Sequence, residues 1–218
     1  MKVTLIDHMG SDLSVVNAAR VSFAKESQEF SSADAKLIKY LAAHNHWTVF
    51  GHCFATFRVK APIFVARQLA KHQVGLVWNE ESRRYIDSEP EFWFPKVWRG
   101  RPEGSIKQGS AGEVKEVNIR NYGVVPTGCA VEEFTPVALS LYNDLLASGV
   151  APEQARMVLP LNTMTEWIWS GSLAAWARVC KLRLDPHAQV ETREIAGIID
   201  SHLGNLFPVS WKELMNGT

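Results

Sequence analysis

Apolar and polar residues alternate from Cys53 to Lys60, with Cys53, Ala55, Phe57 and Val59 on one side and Thr56, Arg58 and Lys60 mostly on the other. A period of two over that length predicts a half-buried strand. Lys2 to Ile6 reads as an opening strand. Ser11 or Asp12 can cap a short helix to about Arg20, and Ser31 or Ser32 a second one with Leu37, Ile38 and Leu41 on its apolar face. Ala61–Ala70 reads as a helix with Pro62 in its first turn, followed by a loop and an extended run from Glu81 to Ile86. Pro136 is expected to open an amphipathic helix (Leu139, Tyr142, Leu145, Leu146) that stops at Gly149, and Pro152 a short turn carrying Arg156. Leu159–Trp169 is an apolar connection or strand, and Leu173–Leu182 a helix. Pro186 is expected to begin the last long helix, with Ile195, Ile198, Ile199 and Leu203 on one face. This order gives an α+β fold, a mixed sheet flanked by helices, in one domain over residues 1–218. Residues 99–123 are rich in Gly, Lys, Arg and Glu and read as an exposed insertion.

Composition narrows the function classes. The formal net charge is zero, so no global field favours nucleic acid or a membrane surface. No signal peptide or membrane-length apolar run is visible, and Cys53, Cys129 and Cys180 lack metal or redox spacing, which points to a reducing cytoplasm. Eight tryptophans suggest interfaces or ligand stacking.

Candidate chemistry concentrates in Lys71-His-Gln-Val-Gly-Leu-Val-Trp-Asn-Glu-Glu-Ser-Arg-Arg-Tyr85. Three basic groups, a histidine, carboxylates, amides and a hydroxyl surround an apolar run there, and buried polar groups left unpaired cost roughly 1–3 kcal/mol each. Ser82 lacks a nucleophile elbow, and its neighbours Arg83 and Arg84 favour a phosphate cradle of hydroxyl, backbone N–H and guanidinium. Solvated arginines on a surface strand are the plainer alternative. His44, His46 and His52 could share a metal, but no accompanying fourth ligand supports it, so no metal is expected. His187 is placed in the first turn of a helix, as a cap or facing a ligand anion. Arg156 and Arg183 are flanked by apolar residues and need anionic partners; Asp185 could serve one and a bound anion the other. No Gly-x-Gly-x-x-Gly or Walker sequence occurs, so any dinucleotide is held unconventionally.

Lys71-His72-Gln73, eight residues and then Ser82, with Asn79-Glu80 before it and Arg84-Tyr85 after, resembles the signature of the flavin-dependent thymidylate synthases. That signature is Arg-His-Arg, seven residues, then Ser. Lys60-Ala-Pro-Ile-Phe-Val-Ala-Arg-Gln68, Ala19-Arg-Val-Ser22, Phe50-Gly-His52, Arg156-Met-Val-Leu-Pro160 and Leu182-Arg-Leu-Asp-Pro-His-Ala-Gln189 resemble the family in the same order. The resemblance implies reductive methylation of dUMP to dTMP. Methylenetetrahydrofolate would give the carbon and NADPH would reduce a bound FAD, in a cytoplasmic homotetramer with sites between subunits. It implies that Gln68, Lys71, Glu80, Glu81, Ser82, Arg83, Arg84 and Arg156 hold dUMP. Arg183 is the implied catalytic arginine, which binds the uracil and favours ionised N3. His52, Lys71, His72, Gln73, Asn79, Glu80, Arg178 and His187 are the implied flavin contacts. Lys71 and Gln73 depart from the two signature arginines, the loop is one residue longer, and Ser170–Arg178 differs from the family's Asn- and Arg-bearing segment. The altered motif leaves open a pyrimidine hydroxymethylase, a methylase of a related nucleotide, or a flavin- or nucleotide-binding protein without catalysis. A metal-dependent hydrolase ranks last.

Overall fold

A computed structural model of the chain describes residues 1–86, 88–103, 109–120 and 122–216. It divides into two compact units: Met1–Val59 with Leu69–Asn79 and Trp167–Thr218, and Lys60–Gln68 with Glu80–Glu166. A four-stranded sheet carries β1 (Lys2–Met9), β2 (Phe54–Pro62), β3 (Leu76–Glu80) and β8 (Met164–Ser172) in the order β1-β2-β8-β3. Sheet and helices together make an α+β fold, as the hydrophobic pattern indicated.

In the first unit, α1 (Asp12–Arg20) and α2 (Ser32–Ala43) each begin with a serine capping box, from Ser11 and Ser31. Helices α6 (Leu173–Arg183), α7 (Val190–Leu206) and α8 (Pro208–Asn216) pack on one another. The Asp12 carboxylate accepts from the backbone N–H of Val209 (2.9 Å) and Ser210 (2.8 Å), capping α8 across most of the sequence. The core gathers Val15, Ile38, Phe57, Ile195, Ile199 and Leu203. Four of the eight tryptophans, Trp167, Trp169, Trp176 and Trp211, are buried in it. Trp78 of β3 stacks on Trp167 of β8 with centroids 4.3 Å apart, Trp169 meets Trp176 of α6 edge-on at 4.7 Å, and Trp176 meets Phe57 of β2 at 5.1 Å. For the four buried rings, packing takes the place of the suggested interfaces or ligand stacking.

In the second unit, α3 (Ile63–Leu69) starts one residue after β2 ends. Pro62 closes the strand instead of opening the helix, and the N–H groups of Ile63 and Phe64 find the carbonyls of Thr163 (2.9 Å) and Leu161 (3.2 Å). Helix α4 (Thr127–Ala147) contains Pro136 in its interior rather than at its start, and Thr135 Oγ1 donates to the Val131 carbonyl at 2.9 Å beside it. The stretch read as an exposed insertion, residues 99–123, contributes to short paired strands: β4 (Arg99–Gly100) with β5 (Ala111–Glu113), and β6 (Glu116–Ile119) with β7 (Gly123–Pro126). Residues 104–108 and 121 of that stretch lie outside the described residues. Pro152 opens the one-turn α5 (Pro152–Ala155).

Candidate active site

The fifteen-residue stretch divides between the two units, and the structure builds a cluster in each. In the first unit, His72 N–H donates to the Leu69 carbonyl (3.0 Å) and Leu76 N–H to that of Gln73 (3.1 Å), so Lys71–Gly75 forms two tight turns. Gly75 has φ +75°, and a Cβ there would lie 3.0 Å from that of Ala175. Only glycine meets both demands without strain. Helix α6 and its N-cap residue Ser172 hold this loop at three points. Arg178 Nη2 donates to the Val74 carbonyl at 2.7 Å, Ser172 N–H to the Gly75 carbonyl at 3.2 Å, and Arg183 Nε to His72 Nε2 at 2.8 Å. The loop thus hands the chain into β3. The extended run therefore falls on Leu76–Glu80, not on Glu81–Ile86 as expected, because Val77 and Trp78 continue the sheet while Ser82–Tyr85 closes a turn.

Electrostatics in this cluster follow from burial. Desolvation first, then the positive charges of Arg183 and Arg178, hold the His72 imidazole below its ordinary value. Burial also lowers Arg183, which remains charged at any working pH. Lys71, Gln73 and Asn79 are exposed. Val74 and Val77 beside them are 78% and 71% exposed, so polar groups alternate with open apolar surface.

In the second unit, Tyr85 N–H donates to the Ser82 carbonyl (3.0 Å), and Ser82 Oγ accepts from Arg84 through both its backbone N–H (3.4 Å) and its Nε (3.3 Å). The Arg84 guanidinium lies 4.9 Å over the Tyr85 ring. Arg83 Nη1 donates to the Ser88 carbonyl at 2.6 Å, and its Nε is buried with no hydrogen-bond partner among the described residues. A donor left in that state is suited to an anion. Thr165 Oγ1 donates to Glu80 Oε1 at 2.7 Å and fixes that carboxylate. Desolvation raises the Glu81 carboxyl despite Arg83 nearby.

Several expected residues stand elsewhere. Helix α7 starts at Val190, so His187 precedes the helix rather than occupying its first turn. Exposed, it engages Asp185, whose Oδ1 takes the His187 backbone N–H at 2.7 Å and lies 3.0 Å from Nδ1; these bonds lower the Asp185 carboxyl. Asp185 is therefore not the partner of Arg183; a neutral imidazole is. Arg156 is exposed, donating from Nε to the Glu153 carbonyl at 3.2 Å, where a sheltered position was expected. Gln68 is half-buried on α3 and His52 is exposed after a 3-10 turn (Trp47–Gly51). His44 Nδ1 sits 2.8 Å from the Tyr40 carbonyl at the end of α2, so the histidines share no strand. Among the described residues no group of three or more metal-binding side chains assembles, and no helix is long and apolar enough to cross a membrane. The sequence reading missed Thr165. Its signal was a hydroxyl at a buried position of an alternating strand, where a polar group needs a partner.

The α+β chain thus carries a basic turn over Ser82–Tyr85 and, on α6, a guanidinium bonded to an imidazole, groups of the kind that bind anions. Comparison with known proteins agrees. Residues 4–209 match the family model described as thymidylate synthase complementing protein. A flavin-dependent thymidylate synthase of Thermus thermophilus is 39% identical over 96% of this chain and 73% of that protein. One from Kosmotoga olearia is 35% identical over 98% and 90%. A solved structure of the UMP/dUMP methylase PolB from Streptomyces cacaoi, bound with 5-Br dUMP, superposes with TM-score 0.83 at 30% identity, covering 99% of this chain and 95% of that one. The chain belongs to the flavin-dependent thymidylate synthase family.

Proposed function

We propose that the chain methylates C5 of dUMP reductively, giving dTMP, with methylenetetrahydrofolate as carbon donor and an FAD reduced by NADPH. The observation that carries this reading is Arg183, half-buried, with its Nε on a neutral histidine rather than on a carboxylate. Its charge is left available to stabilise negative charge on a pyrimidine at N3 and O2, which makes C5 nucleophilic. C5 loses a proton and gains the methylene carbon. Ser82, Arg83 and Arg84 take the phosphate, with Gln68, Lys71, Glu80, Glu81 and Arg156 as further nucleotide contacts. Glu80 is held for that role by Thr165. The printed names of the relatives support a flavin, and the donor set fits one. Lys71, Gln73 and Asn79 offer rim hydrogen bonds, and Val74 and Val77 an apolar face for an isoalloxazine. His52, Glu80, Arg178 and His187 complete the proposed surroundings, while the His72 ring is taken up by Arg183. When bound, the reduced flavin supplies hydride to the transferred carbon. The chain's own part is positioning and the exclusion of water.

The proposed assembly is a cytoplasmic homotetramer with sites formed between subunits. Phe134, Val137 and Leu141 form an exposed apolar stripe at helical spacing on α4, a surface suited to being covered by another copy.

The solved UMP/dUMP methylase favours one second reading, a ribonucleotide substrate. Product mass decides. Purified protein should be yellow, and with methylenetetrahydrofolate and NADPH it should add 14 mass units to dUMP, the increment for replacing H by CH₃, at about tenfold or more the kcat/KM seen with UMP or dCMP. Preference for UMP would install the second reading, an addition of 30 (hydroxymethyl) would make the chain a hydroxymethylase, and a colourless chain that takes up no FAD would refute both methylase readings.

A further inference from the structure

A guanidinium favours an anionic ring only when its plane is held toward that ring, and arginine's long stem does not hold it unaided. The structure supplies the hold. Arg183 has no acceptor atom, so the 2.8 Å contact from its Nε requires a lone pair on His72 Nε2 and places the imidazole proton on Nδ1. The bond joins the last turn of α6 to a loop that Arg178 and Ser172 already brace. Using Nε for this leaves Nη1 and Nη2 for a ligand. A carboxylate in the same place would orient the guanidinium and also cancel its charge. Asp185, two residues away, is occupied by His187.

We propose that His72 is the positioning residue of Arg183: a neutral acceptor that fixes the guanidinium without neutralising it, so that the remaining two donors face the pyrimidine. This inference rests on the reading of Arg183 given above. The charged groups facing His72 are Arg183 and Arg178 from α6, with Lys71 beside it on its own loop. Together with burial, the two arginines keep the ring in its acceptor form near neutral pH. As pH falls through that lowered value, the imidazolium sets one N–H against another and releases Arg183.

Two measurements test it. In histidine-selective ¹⁵N spectra of the cofactor-free chain, His72 should show the Nδ1–H tautomer and titrate below free histidine; in Arg183→Ala it should titrate higher. In the flavin-loaded enzyme, His72→Ala should lower kcat about tenfold or more while the nucleotide KM stays within about twofold and flavin remains bound. His72→Gln, whose amide oxygen accepts but cannot be protonated, should recover most of that loss and flatten the acid limb of the pH profile. An Nε2–H tautomer, a His72→Ala enzyme as fast as the parent, loss of flavin in that variant, or a glutamine variant as slow as alanine would each overturn the positioning role. If Arg183→Ala is inactive while His72→Ala is not, this inference fails and the proposed reaction stands. An active Arg183→Ala removes the proposed reaction as well.

Discussion

Burial pushes the Cys53 thiol up to about 11 and raises that of Cys180, whereas Cys129 is exposed. A protonated, enclosed thiol is a poor nucleophile, which suits the proposed reaction, where Cys53 and Cys180 take no part. Ellman's reagent should find at most one rapidly reacting thiol per native chain and three after denaturation. Rapid modification of Cys53 in the native protein would contradict that assignment. His72 adds a linkage between pH and stability. Its value in the fold lies below the ordinary 6.5, so the unfolded chain binds the proton more readily. The stability involved is therefore complete above that ordinary value and declines as pH falls toward the lowered one. At this scale the sequence showed the right residue types and hid their pairing. Arg183 and His72 are 111 positions apart. The sequence offers Asp185 to one of Arg156 and Arg183, whereas the turn before α7 directs it to His187.

Prolines account for much of what was misread among the elements. Pro62, Pro136 and Pro186 each suggested a helix start, since a missing N–H is harmless in a first turn. Instead Pro62 ends a strand, Pro136 sits inside a 21-residue helix, and α7 starts four residues beyond Pro186. Serine caps and strict alternation were more reliable, because each names a hydrogen bond or a face: Ser11, Ser31 and the β2 pattern all hold. Strands of two to four residues, as in 99–126, are too short to show a period. The contact between β8 and the β3 loop was equally invisible. A Cβ on Gly171 would lie 2.3 Å from Leu76 Cδ2 and 3.1 Å from the Gly75 carbonyl oxygen. Gly171→Ala should therefore cost about 1–3 kcal/mol, readable as a lower denaturation midpoint, and should weaken flavin binding by displacing the loop. Parental stability and flavin affinity would contradict this tight approach.

For the molecule as a whole, the α+β class followed from the order of the elements, and the family from motifs that keep their order along the chain. Its division into two units did not. Ser82–Tyr85 belongs to one and His72–Arg183 to the other, and the stretch singled out in the sequence crosses from one to the other between Asn79 and Glu80. The most direct measurement is tritium release from [5-³H]dUMP by the flavin-loaded enzyme with methylenetetrahydrofolate and NADPH, run beside Arg183→Ala. The parent should release tritium in step with product, and the variant should release it at least about a thousandfold more slowly while keeping its flavin. Equal release from both would contradict the account.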